Sequence, residues 1–231
     1  MGDSDHITFT AGEFYQIHFD SREYLNSYYR SPQTCYDFFP FVLRHLNETD
    51  GNIKGNKLIE IGKIEDWLNK EEGCFDWSPT IQFVCELEGR SRSPEEVEQR
   101  LRQIVKQVLR CDVRQENPFH PLTMEPADRI LSSFCLDSAC EDLETYRRAL
   151  QSIAALLKPG GALVLFGVFN ASFYFVGHQR VFCLVLSQSL LEALRDLGFS
   201  IKQVNILPGK ESQKVLFDAE EMYHLVAQKT K

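Results

Sequence analysis

The sequence predicts an α/β fold: a mainly parallel sheet with an antiparallel finish. Three observations carry this. Short apolar runs with strand character alternate with helical periodicity over most of the chain. In Lys57–Lys63 (KLIEIGK), Leu58, Ile59 and Ile61 form an apolar run, Glu60 stands where the strand emerges, and Gly62 opens a turn. A first strand of an open α/β sheet feeds a ligand-binding loop in this way. The last two strand-like segments are joined by a loop containing PGKESQ, with no helical pattern between them, which suits antiparallel neighbours.

Composition narrows the class. A chain of 231 residues, 43% apolar and 12% aromatic, can bury a sizeable core in one large domain. The net charge of −8 and the lack of a Lys/Arg cluster argue against a nucleic-acid surface. The 7 cysteines are odd in number, form no C-x-x-C pair and sit in apolar runs, as reduced thiols do. The polar start MGDSDHITFTAGE carries no signal-peptide pattern, and no apolar run is long enough to span a bilayer. Gly2 follows Met1, but His6 stands where a myristoylation motif needs Ser or Thr. The expected setting is the cytoplasm, with no membrane and no nucleic-acid partner.

Taken in order, residues 1–13 read as a loose arm. A helix follows around FYQIHFDSREYLNSYY, where Asp20 and Glu23 have capping-box spacing and Tyr15, Phe19, Tyr24, Tyr28 and Tyr29 form an aromatic face. Those aromatics either pack the helix to the domain or wall off a small-molecule pocket as a lid. A second helix is expected over Tyr36–Leu46, then the KLIEIGK strand, then one or two helical turns over Ile64–Glu72 closed by Gly73. Thr80–Leu87 alternates like a strand. Ser93-Pro94-Glu95-Glu96 is a helix start, and Val97, Leu101, Ile104 and Val105 are its expected buried stripe. Val108–Val113 and Ala127–Phe134 read as strands. The helix from Asp142 carries Leu143, Tyr146, Leu150, Ile153, Ala154 and Leu157 at helical spacing and should stop at Lys158-Pro159-Gly160-Gly161. Ala162–Phe169 is a buried strand, Leu190–Leu197 a helix closed by Gly198, and Phe199–Leu207 and Met222–Gln228 the final strands.

Asp112 and Asp137 each follow an expected strand's C-terminal end, where ligands bind in such sheets. They serve either as turn carboxylates or as part of a site for a cationic or hydroxyl-rich ligand. Cys135, Asp137, Cys140 and Asp142 match no zinc spacing, so no metal is expected. No histidine neighbours a nucleophile, and no G-x-S-x-G elbow is present, so hydrolase chemistry has no support.

Several stretches resemble one family in order: FDSREYLNSYY, KLIEIG, EEGCFDWSP with VCELEG, LRQIVKQVLRCDV, PADRILSSFCLDSACEDLETYRRAL and LLKPGGALV. The sequence is similar to the small-molecule N-methyltransferases of nicotinamide, phenylethanolamine and indolethylamine, and most resembles the nicotinamide type. The resemblance spans most of residues 14–164, with Tyr174 and Gly177 as anchors beyond it. It implies a class I S-adenosylmethionine-dependent methyltransferase fold, Rossmann-like, with an N-terminal helical lid (1–50) and a sheet core (57–231) in a single domain. It implies S-adenosylmethionine as cofactor and a small amine or pyridine as acceptor, the cofactor carrying the reactive chemistry. It would place Tyr24 and Tyr29 in the lid, Gly62 in the first loop, Asp112 and Val113 at the adenine end, and Ser133 and Ala139 at the methionine end. Phe134, Asp137 and Tyr174 would line the acceptor pocket. The resemblance names no catalytic residue.

The pattern also departs from the family. After Gly62 the relatives have roughly thirty more residues, about one helix-strand unit, holding the rest of the Gly-rich loop and the acid that binds the ribose hydroxyls. Gly167 stands where the nicotinamide enzymes carry a pocket aspartate, and Ala171 where they carry a serine. The sheet is therefore expected to be incomplete. The expected function is N-methylation of a small amine or pyridine, with impaired activity. The alternative is a catalytically inactive relative that binds a ligand weakly or pairs with a full-length paralogue rather than acting as a monomer.

Overall fold

The computed structural model describes residues 21–29, 41, 58–61, 76–89, 91–210, 214 and 216–230. In chain order its elements are α1 (Ser21–Tyr28), β1 (Leu58–Ile61), α2 (Ser78–Leu87), α3 (Pro94–Ile104), β2 (Ala127–Ser133), α4 (Leu136–Ala139), α5 (Leu143–Ala155), β3 (Leu157–Phe169), β4 (Phe173–Val176), β5 (Gln179–Phe182), α6 (Ser189–Asp196), β6 (Phe199–Pro208) and β7 (Glu221–Lys229).

Five strands make one sheet in the order β1-β2-β3-β7-β6. β1, β2 and β3 pair in parallel, and β3, β7 and β6 pair antiparallel, the finish that the helix-free final connection leads one to expect. Every residue of β3 from Ala162 to Phe169 is buried, as a central strand covered on both faces requires. The two-residue period divides its side chains. Leu163, Leu165 and Phe169 join Tyr146, Leu150 and Ile153 of α5 and Leu190 and Leu194 of α6 in the main core. Val164 and Phe166 point the other way and pack with Phe41, whose ring meets Phe166 edge-on at 6.5 Å. Each such side chain contributes roughly 1.5–3 kcal/mol by leaving water.

Local signals explain the helix ends. Ser93 caps α3 in a full capping box with Glu96, ahead of Pro94. Asp142 caps α5, its Oδ1 accepting the Thr145 N–H at 2.7 Å. At the other end Lys229 Nζ donates to the carbonyls of Ala154 and Leu157, at 2.8 and 2.9 Å. A cation there satisfies open acceptors and complements the helix dipole.

The structure corrects five expectations. Thr80–Leu87 is not a strand but most of α2, because Pro79 sits in the first turn and Ile81, Val84 and buried Cys85 recur at helical spacing. Val108–Val113 forms no strand; Leu109, Cys111 and Val113 pack into the core from irregular backbone. A strand there would need a ladder partner, and among the described residues the sheet ends at β1. The stripe expected on α3 is not buried: Leu101 and Ile104 are 43% and 58% exposed, and Val97 and Val105 are half-buried. Leu143, at the start of α5, is likewise exposed. Finally α5 stops at Ala155, and Lys158–Gly161 already belong to β3, where Gly160 takes φ 77°. Two features had no counterpart in the sequence: the one-turn helix α4 and the hairpin β4–β5, turned by Gly177 at φ 58° and His178. Asp20, the helix over Tyr36–Leu46 apart from Phe41, Gly62 and the segment Ile64–Glu72 lie outside the described residues.

Candidate functional site

The tyrosine helix α1 covers the β4–β5 hairpin. Tyr28 is buried, and its hydroxyl lies 2.9 Å from the carbonyl oxygens of both Phe175 on β4 and Leu216. Gly177 N–H donates to Ser27 Oγ at 3.4 Å. The Glu23 side chain lies so close over Gly177 that a Cβ there would stand 2.8 Å from its Cγ. The turn glycine therefore serves both a left-handed backbone and a close approach. At its other end α1 meets α2: Thr80 Oγ1 donates to the Tyr29 carbonyl at 3.0 Å, and the Tyr29 ring lies 5.3 Å from Trp77. Between these anchors Tyr24 touches the rings of Tyr28 and Tyr29 and meets Tyr174 edge to face at 6.2 Å.

Beneath this cover β2 ends in Phe134, a non-glycine residue at φ 49°. Such a conformation costs roughly 1–3 kcal/mol and clusters at functional sites. Its N–H donates to the Phe166 carbonyl at 3.0 Å. Its ring packs with Tyr174 against Val168, Ala171 and Cys183. Three residues on, Asp137 is only 5% exposed. Oδ1 accepts the Ser138 N–H at 3.1 Å, and Oδ2 accepts the Cys183 thiol at 3.4 Å. Burial pushes the Asp137 carboxyl up, opposed only in part by these hydrogen bonds. Tyr146 on α5 and Tyr223 on β7 share its neighbourhood, and burial, with Asp137 beside them, pushes both phenols up as well. A carboxyl, two phenols and a thiol thus cluster between the main core and the Phe134–Tyr174 patch.

The second acid has a different environment. Asp112 N–H donates to the Pro118 carbonyl at 2.9 Å. Its Oδ1 accepts from Arg114 N and Nε at 3.1 and 2.9 Å, and its Oδ2 from Arg114 Nη2 at 2.8 Å. Burial alone would raise this carboxyl, but the hydrogen bonds and charge of Arg114 outweigh it and hold Asp112 low and ionised. Cys140, fully buried, feels Asp137, Arg114 and Asp112 together and is pushed up to about 12, chiefly by burial.

Tyr24, Tyr174, Phe134 and Asp137 are linked by these contacts. Val113 lies in the core, Ala139 is half-buried against it, and Asp112 is paired with Arg114. Ser133 closes β2 opposite Phe166. Gly62 lies outside the described residues. The sequence had not marked Cys183, Tyr146, Tyr223, Trp77 or Arg114. Cys183 and Tyr223 come from distant segments, and only the fold brings them near Asp137, whereas Tyr146 follows it on the next helix. Asp142 is a helix cap rather than a partner of Asp137, and among the described residues no group of three or more His, Cys, Asp or Glu could hold a metal ion. No helix among them is long and apolar enough to cross a membrane.

Comparison with known proteins decides the family. Residues 63–230 match the NNMT/PNMT/TEMT family. The chain belongs to this family. Nicotinamide N-methyltransferase of Homo sapiens is 36% identical over 258 positions, covering 96% of this chain and 97% of the relative. Indolethylamine N-methyltransferase of Oryctolagus cuniculus is 36% identical over 87% of this chain and 89% of its own. Phenylethanolamine N-methyltransferase of Sus scrofa is 33% identical over 81% and 80%. Among solved structures, a Burkholderia thailandensis 1,6-didemethyltoxoflavin-N1-methyltransferase shares 23% identity at a TM-score of 0.41, over 59% of this chain and 56% of its own. The family's N-methyltransferases take the methyl from S-adenosylmethionine, and the α/β sheet described above is that of the class I fold. The human alignment uses 258 positions but only 96% of 231 residues here, so about three dozen positions of the relative have no counterpart in this chain.

Proposed function

We propose that this chain is a single-domain N-methyltransferase of a small amine or pyridine, with its acceptor side built and its donor side weakened. The observation that carries this is the docking of α1 on the β4–β5 hairpin, which sets Tyr24 against Tyr174, whose ring shares an apolar patch with Phe134 and with Cys183, the thiol bound to Asp137. Aromatic faces exclude water from an acceptor and hold its ring or chain, and a buried carboxyl orients its nitrogen and can take a proton from an ammonium.

The donor, when bound, supplies the transferable methyl on a sulfonium. Tyr24 and Tyr29 would cover it, Gly62 would sit in its first loop, Asp112 and Val113 would meet its adenine end, and Ser133 and Ala139 its methionine end. The described residues of this set fit: Asp112 is ionised and fixed by Arg114, as an acceptor for N–H or O–H donors must be. What weakens the donor side is the stretch missing after Gly62. Hydrogen bonds to a charged group contribute about 1.5–3 kcal/mol each, so losing two from a ribose-binding acid costs roughly two to four decades of affinity at ~1.4 kcal/mol per decade.

Radiolabelled methyl transfer to nicotinamide and to small primary amines tests the activity: slow transfer at high donor concentration is expected. A second reading, favoured by the positions lacking a counterpart, is a non-catalytic relative that pairs with a full-length paralogue. No transfer at any donor concentration, together with co-purification with such a paralogue, would favour it.

A further inference from the structure

Gly167 of β3 lies opposite Tyr223 of β7 in the antiparallel register. The phenol lies across the glycine. A Cβ at 167 would stand 2.5 Å from the Tyr223 hydroxyl and 2.6 Å from its Cζ, distances that real carbons do not adopt. The ring is held there by stacking on Phe169, centroids 4.4 Å apart and 27° from parallel, and is only 3% exposed. The preceding residue of β7, Met222, packs with Cys183, whose thiol binds Asp137, in the patch that holds Phe134 and Tyr174, and Gly167 follows Phe166, whose carbonyl accepts the Phe134 N–H. One side chain of β7 thus takes up the space over the β3 glycine and borders the patch in which an acceptor would be held.

We propose that Tyr223 sets the acceptor size limit: its phenol occupies the volume that a second fused ring would need, so the site takes single-ring acceptors. This rests on the acceptor site proposed above. Rigid, stacked rings define such a boundary better than flexible side chains, because moving Tyr223 would also break its packing on Phe169.

Calorimetric titration with nicotinamide and with its two-ring counterpart quinoline-3-carboxamide tests this in the full chain and in Tyr223→Ala, Tyr223→Leu and Tyr223→Phe. Truncation to Ala should strengthen binding of the two-ring probe by about tenfold or more, ~1.4 kcal/mol, whereas Tyr223→Phe should leave the limit in place. Thermal melts establish which variants are folded; if the Ala variant is not, the Leu variant is read in its place, with a gain in the same direction. No gain for the two-ring probe in a folded truncation, equal binding of both probes by the unchanged chain, or a gain already in Tyr223→Phe would overturn the proposal. Failure of the acceptor site itself reads differently: the unchanged chain would neither bind nor methylate nicotinamide, whatever the truncation gains.

Discussion

Tyr24 on the N-terminal helix and Tyr174 on the β4–β5 hairpin meet edge to face, ring centroids 6.2 Å apart. The contact joins the first helix to the hairpin whose Tyr174 shares an apolar patch with Phe134. It depends on the seating of α1, and that seating is testable.

The seat is the Tyr28 hydroxyl, 2.9 Å from the carbonyls of Phe175 and Leu216. Tyr28→Phe takes the hydroxyl from the Phe175 carbonyl, while the Leu216 carbonyl keeps the Phe175 N–H, and should loosen α1 by about 1–3 kcal/mol. Hydrogen exchange of the α1 amides should quicken by roughly one to two decades, with the β3 and β7 amides unchanged. Unaltered protection of α1 would show that the helix is held by something else.

Asp137 gives a pH signature. Its carboxyl is raised by burial, so the folded chain holds this proton more tightly than the unfolded one. Stability from this group is therefore greatest at low pH and falls as pH rises above the ordinary carboxylate value of 3.8 toward the raised one. Asp112, held low by Arg114 despite its burial, acts in the opposite sense and only as pH falls below that value. Asp137→Asn mimics the protonated acid, so its advantage over the unchanged chain should grow from pH 5 to pH 8 in denaturant melts. Parallel pH profiles for the two proteins would refute a raised Asp137.

Gly167→Asp would reinstate the acid that the nicotinamide enzymes carry at this position, yet it should fail alone. Tyr223 already fills the space, so overpacking should cost about 1–3 kcal/mol, and no methyl transfer to nicotinamide should appear. Combining it with Tyr223→Ala should recover part of the lost stability. Transfer by the single variant faster than by the unchanged chain would mean that Tyr223 leaves room for the acid and that the donor site is competent as it stands.

How far the sequence disclosed all this varies by element. KLIEIGK, the Ser93-Pro94 helix start, the strand around Leu131, the buried run ALVLFGVF and the last two strands were legible because period and caps agree with the packing. Thr80–Leu87 misled because Ile81, Phe83, Cys85 and Leu87 alternate while Ile81, Val84 and Cys85 have helical spacing, and Pro79 decides the matter from just outside the window. Val108–Val113 has strand residues but no described ladder partner. At the site, Phe134, Asp137 and Tyr174 came from the family resemblance rather than from local chemistry. Tyr223 and Cys183 could not have been found that way, since only strand register and the loop after β5 bring them to Asp137.

The central claim is an acceptor side that is built beside a donor side that lacks its loop. Calorimetric titration with S-adenosylhomocysteine tests it most directly, on the chain as it stands and with a relative's segment of roughly thirty residues inserted after Gly62. The unaltered chain should bind no tighter than about 10⁻⁴ M, and the insertion should strengthen binding by two decades or more. A micromolar constant for the unaltered chain would contradict the account.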